Sequence, residues 1–215
     1  MPYTANTAFE VKNTNAEHQS LQNITGKFGS FSGSTFTGAD CSAGFLCVKN
    51  SLLPLEGYES LVDGGGKPRF LNGNAWYMVA ATNGTSGKTY GDHTGIYACN
   101  TYDVKSVGDA NARYNLGIDT LGLGIPADVR GTFTELIVGE QYKWGVGDFA
   151  STPTVGQYVT ISSGKWSASS SSEPAGGTGV FGIVRRAEAF NEGASYVGVG
   201  YIVEIFRSAE VAAEA

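Results

Sequence analysis

Glycine punctuates this chain. Thirty-one of its 215 residues are glycine, about twice the usual share of roughly 7%, and they fall between short aromatic and β-branched runs. Glycine reaches positive φ without steric cost and asparagine tolerates it, so a chain broken in this way folds as many short strands joined by tight turns. Asn72-Gly73, Asn83-Gly84, Ser163-Gly164 and the run Asp63-Gly64-Gly65-Gly66 mark such turns.

Between the turns lie strand signals. Phe45 to Val48 and Ser51 to Leu55 are short apolar runs, and Ala75 to Ala81 reads as a buried strand between two Asn-Gly turns. Thr94 to Cys99 is another strand. Leu121 to Pro126 is apolar but interrupted by glycine, which predicts a bulge or a close backbone contact. After Gly131 the pattern becomes regular, with runs at 132–138, 141–144, 157–161, 180–184 and 196–206 separated by turns and by a Ser/Gly-rich loop, 167–179. Asp103 to Tyr114 is polar with a short helical turn at most.

Residues 1–40 are rich in Asn, Thr, Ser and Gly, and Phe9, Phe28, Phe31 and Phe36 keep neither a helical nor a strict strand period. An extended N-terminal arm that gains order on another subunit is one reading, and an irregular edge of the main domain is the other. The expected organisation is all-β: an arm over 1–40, a β-rich lobe over 41–130, a small β-barrel or sandwich over 131–207 and an Ala/Glu tail over 208–215. The four phenylalanines are the candidate contact residues.

Chemistry-bearing residues are sparse. Fourteen Lys and Arg against twenty Asp and Glu leave a net charge of -6, with Arg185-Arg186 the only adjacent basic pair; nucleic acid, which requires clustered cations to displace phosphate counterions, is disfavoured. No run approaches the roughly 18 to 20 apolar residues of a membrane helix, so a membrane partner is not expected. Cys41, Cys47 and Cys99 are an odd number with no apolar leader near Met1, read as reduced, buried thiols of a protein made in a cytoplasm, with a Cys41–Cys47 bridge as the alternative.

Three motifs invite function and fail on spacing. Ser86-Gly87-Lys88-Thr89 ends like a phosphate loop, but Thr82 stands where the first glycine belongs and a turn follows where a helix is needed. Asp92, His93 and Cys99 are the ingredients of a thiol nucleophile, base and orienting acid, yet on one strand His93 and Cys99 lie ~20 Å apart at ~3.3 Å per residue. Cys41, Cys47 and His93 lack a fourth zinc ligand, and neither CxxC, HExxH nor a calcium loop occurs. No catalytic residue, metal or cofactor is therefore expected. Trp76, Tyr77, Tyr142, Trp144, Tyr158 and Trp166 read as core or subunit interface, the alternative being a platform for stacking sugars.

Taken in order, Cys41-Ser-Ala-Gly-Phe45, Leu52-Leu-Pro54, Gly57-Tyr58, Trp76-Tyr-Met78, Gly95 to Val104, Thr120 to Leu123 and Gly131 to Thr134 resemble minor structural proteins encoded beside the major capsid gene of tailed bacteriophages. Val155 to Val159, Gly164-Lys-Trp166 and Val180 to Val184 are similar to the small β-barrels of capsid cement proteins. The resemblance implies a non-enzymatic virion protein that decorates the outer capsid surface at junctions between major capsid subunits. A homo-oligomer, a trimer above all, is implied with it. The alternative is a head fibre or a receptor-binding tail component that uses Trp144, Trp166 and the Ser-rich loop on carbohydrate.

Overall fold

The structure, a computed structural model, describes residues 7–13, 23–53, 75–82, 92–102, 124–168, 179–189 and 198–207. Strands dominate these residues, as the glycine punctuation requires. They are β1 (Phe9–Asn13), β2 (Asn23–Ser32), β3 (Thr35–Gly38), β4 (Leu46–Leu52), β5 (Ala75–Ala80), β6 (His93–Tyr102), β7 (Gly131–Ile137), β8 (Gln141–Gly145), β9 (Tyr158–Ser162), β10 (Lys165–Ala168), β11 (Val180–Ala189) and β12 (Val199–Arg207), with one 3-10 turn at Val146–Asp148. No described helix is long and apolar enough to cross a membrane.

Two groups of strands form. In the first, the order β2-β5-β4-β6-β7 closes on itself because β7 also pairs with β2, giving a five-stranded barrel from which β3 hangs on the second half of β2. Closure leaves no free edge inside the ring. The second group is an antiparallel sheet in the order β1-β8-β12-β11-β9-β10. Thus the closed ring lies in residues 23–137, whereas the stretch where a barrel or sandwich was expected, 131–207, supplies β7 to that ring and an open sheet beyond it.

Alternation along the barrel strands sorts side chains to two cores. Cys47, Tyr97, Cys99, Met78 and Phe133 point inward, joined by Cys41 and Ile125, which form an isolated bridge with each other. Their neighbours Leu46, Ile96, Ala98 and Leu136 point outward and meet Phe9, Tyr142, Trp144, Val159, Trp166 and Val203 from the sheet in a single apolar core. Barrel and sheet therefore share one interior. With about 1.5–3 kcal/mol for each large side chain taken from water, this shared layer is a main source of stability for both.

Within 1–40 the described residues serve both groups: β1 is a margin strand of the sheet, β2 belongs to the barrel, and β3 pairs with the second half of β2. Small residues let them do so. A Cβ on Gly26 would stand 2.6 Å from the Met78 side chain and 2.8 Å from the Trp76 carbonyl, and one on Gly29 would strike the Thr37 carbonyl and the Phe36 ring. Glycine that reads as loop composition here permits close strand packing. The expected boundary at 130/131 falls between β6 and β7, which pair with each other, while β1 pairs with β8 across that boundary, Phe9 opposing Trp144.

Turn chemistry follows the sequence where it is visible. Ser163 (φ 48°) and Gly164 (φ 78°) both take positive φ in the two-residue turn between β9 and β10. The tip of that hairpin seats on the barrel: Gly164 N–H donates to the Ala81 carbonyl at 2.8 Å, and Leu46 N–H donates to the Gly164 carbonyl at 2.7 Å. The predicted close contact near Leu121 to Pro126 is Gly124, whose Cβ would lie 2.2 Å from the Cys41 carbonyl. Strand β10 and the charged second half of β11, with Arg185, Arg186 and Glu188, were not among the expected runs. The turns at 63–66, 72–73 and 83–84, the 86–89 motif, the polar stretch 103–114, His18, most of the Ser-rich loop and the tail 208–215 lie outside the described residues.

Candidate functional site

The four candidate contact phenylalanines separate. Phe9 is 1% exposed, stacked on Tyr142 with ring centroids 5.9 Å apart and tilted against Trp144 at 5.3 Å; it is part of the shared core, because β1 docks on β8 with its inward face over those rings. Phe28 packs edge-on against Phe45 at 5.2 Å in the barrel interior. Phe31 and Phe36 remain together at the surface. They are direct cross-strand partners in the β2–β3 ribbon, their centroids are 5.2 Å apart, and Tyr77 of β5 closes the group at 5.3 Å from Phe31 and 4.3 Å from Phe36.

The ribbon's geometry explains why these rings are half-buried and not core. Residues 23–26 of β2 pair with β7 and residues 25–28 with β5, but residues 29–32 pair with β3. Past Phe28 the strand has left the ring, and Gly33 (φ 60°) turns it back. Gly29 leaves room for the Phe36 ring. The outcome is a three-ring aromatic patch, two rings on a two-stranded projection and Tyr77 on the barrel strand beside its base, all three side chains only partly covered. Strands β2 and β3 carry one charged residue between them, Lys27.

A second cluster sits in the barrel where β6 bulges. His93 opposes Ile137 and Tyr97 opposes Glu135, so four steps on β6 span two on β7, with Gly95 at φ 69° in the excess. The bulge is held by Thr94, whose hydroxyl donates to the Leu136 carbonyl at 2.6 Å and accepts from Ile96 N–H at 3.1 Å. It aims two groups at the buried Glu135 carboxylate: Gly95 N–H at 2.9 Å and His93 Nδ1 at 2.9 Å. Burial pushes the Tyr97 phenol up, and the charge and hydrogen bonding of Glu135 add to that. Beside it the Lys49 ammonium lies 5.0 Å from the Trp76 ring centre and 4.8 Å from that of Tyr97; burial lowers its pKa against the opposing pull of Glu135.

This cluster is not the Asp92–His93–Cys99 arrangement considered from the sequence. The carboxylate on His93 is Glu135, and Cys99 faces the barrel interior with no exposed area. All three cysteines are free and buried, and burial drives each thiol upward, away from the thiolate that nucleophilic attack or metal ligation requires. Among the described residues no group of three or more His, Cys, Asp or Glu side chains is placed to hold a metal ion. Trp144 and Trp166 are both 0% exposed, so neither ring offers a stacking face to a sugar. Glu135 escaped the sequence reading, and its one signal was a carboxylate inside the apolar run Thr132 to Val138.

Compared with protein-family models, with curated proteins and with solved structures, the chain matches none.

Proposed function

We propose that this protein is a non-enzymatic adhesive protein that binds a larger assembly through the aromatic ribbon, and that the assembly is a phage capsid, with junctions between major capsid subunits as the site. The observation that supports adhesion is the Phe31–Phe36–Tyr77 patch: two rings on a nearly uncharged projection with a third on the adjoining barrel strand, which is the composition that protein contacts favour at their centre. The narrower reading rests on the sequence resemblance to capsid decoration and cement proteins. Net charge of -6 agrees with a place on the outside of a shell, away from packaged nucleic acid. A homo-oligomer, of which a trimer is the simplest for a capsid junction, would multiply a modest contact into a strong one.

The test adds purified protein to undecorated capsids and follows sedimentation of the bound fraction. Saturable, stoichiometric binding is expected, weakened at least about tenfold by Phe36→Ser together with Tyr77→Ser, in line with the ~1.4 kcal/mol or more carried by a central aromatic contact. Binding that is absent, or unaffected by the double substitution, would reject the proposal.

A further inference from the structure

Strand β1 sits at the margin of the sheet and pairs with β8: Phe9 opposes Trp144, Glu10 opposes Lys143 and Val11 opposes Tyr142, with a bulge before Asn13. Its seat recognises it at four points. The Ala8 N–H donates to Asp148 Oδ2 at 3.1 Å, and the Ala8 carbonyl accepts from Gly145 N–H at 2.9 Å. The Phe9 ring fills the place between Tyr142 and Trp144, and the Glu10 carboxylate meets the Lys143 ammonium at 2.7 Å, where Lys143 is itself only 3% exposed. All these partners come from residues 142–148. The seat thus reads an extended segment presenting a small residue, an aromatic ring and an acid in succession, by strand addition.

Nothing in those contacts specifies which copy of the chain supplies the strand. The next strand, β2, lies in the barrel and not beside β1, and the ten Cα steps from Asn13 to Asn23 span at most about 35 Å. We infer that β1 is exchanged between copies, residues 8–13 of one chain seating on β8 of another and turning Phe9 from a core residue of one molecule into a link between two. Exchange replaces each contact by an identical one, so it costs no interaction energy. Its competitor is the chain's own strand, whose effective concentration is in the mM range; exchange is thus favoured where copies are crowded together to similar local concentrations. The linkage goes beyond the aromatic-ribbon reading and holds whichever surface the protein coats.

The Glu10–Lys143 pair supplies the test in the unaltered full chain. Equal amounts of ¹⁵N-labelled and unlabelled protein are held together at ~1 mM, then treated with a carbodiimide, which joins a carboxylate to an adjacent amine as an amide with loss of water. Mass spectrometry of the linked Glu10–Lys143 peptide is expected to show mixed-isotope species that increase with concentration toward statistical proportion. Linked peptide confined to single-isotope species overturns the proposal. As a second route, full-length Glu10→Cys and Lys143→Cys variants are mixed and oxidised. A disulfide-linked dimer above the background of either variant alone supports exchange; its absence, while the double variant closes within one chain, overturns it.

Discussion

The indole nitrogen of Trp144 donates a hydrogen bond to the Gly44 carbonyl at 3.0 Å, across 100 residues of sequence. This bond joins sheet to barrel. Gly44 (φ 81°) also donates its N–H to the Cys99 carbonyl at 2.7 Å, and a Cβ there would stand 2.7 Å from the Asp148 carboxyl and 2.8 Å from the Trp144 ring. Trp166, packed edge-to-face on Trp144 at 5.2 Å, has an equally buried indole nitrogen with no hydrogen-bond partner among the described residues.

The two tryptophans should therefore respond differently to the same change. Trp144→Phe withdraws the donor from a buried carbonyl, whereas Trp166→Phe removes ring volume without breaking a bond. Urea unfolding is expected to show Trp144→Phe as the more destabilising by about 1–3 kcal/mol; equal losses would refute the asymmetry.

Asp148 gives the fold a pH dependence of unusual sign. Burial raises its pKa well above the ordinary aspartate value, more than the Ala8 and Gly145 N–H bonds and the charge of Lys165 lower it. The folded state thus holds this proton more tightly than the unfolded chain. Its contribution to stability is present below the unfolded value of about 3.9 and is lost as pH rises above it. Asp148→Asn keeps an oxygen to accept both N–H groups and carries no charge. It should flatten the pH profile and raise stability at neutral pH, whereas Asp148→Ala strands the Ala8 N–H, while the Gly145 N–H keeps the Ala8 carbonyl, and should cost about 1–3 kcal/mol. Thermal melts from acid to neutral pH distinguish the two variants.

Gly164→Ala should be severe for a one-carbon change. The added atom would lie 2.0 Å from the Phe45 ring, and the positive φ alone costs about 1–3 kcal/mol in a residue with a side chain. Ser163→Gly, at the neighbouring positive φ, should be neutral or slightly stabilising. Chemical denaturation of both variants checks the pair.

The cysteines should be silent in the native state. With Cys41 at 1% and Cys47 and Cys99 at 0% exposure, and each thiol shifted upward by burial, labelling by a thiol-reactive dye is expected to run on the order of a hundredfold or more slower than in denaturant, where all three react. Rapid labelling of any one of them in buffer would contradict their placement.

Much of the fold was legible because local signals and tertiary demands agree in its centre. Ala75 to Ala81 and Thr132 to Val138 are apolar runs of strand length, and Ser163-Gly164 is a turn whose two residues both adopt the φ that it announces. The N-terminal strands were hidden for an opposite reason. β2 changes partners at Phe28, so its aromatics serve first the barrel interior and then an outer ribbon, and no single period describes them. The pairing of Phe9 with Trp144 is a long-range choice that leaves no trace in either segment's composition. The candidate patch was half visible: Phe31 and Phe36 stood out, but Tyr77 joins them only because β5 runs parallel to β2. Glu135 was masked by the strand around it.

The shared interior has a mechanical corollary. A tug on the β2–β3 projection cannot be taken up by one lobe alone, since Leu46, Ala98 and Leu136 grip the same layer as Trp144 and Val203, and the β9–β10 tip is hydrogen-bonded into the barrel wall. Load applied at that projection passes through the shared layer into the sheet and to Phe9 of β1, so if the proposed coating role holds, a particle covered with such units would resist bursting as a stiff skin, not as beads on separate tethers.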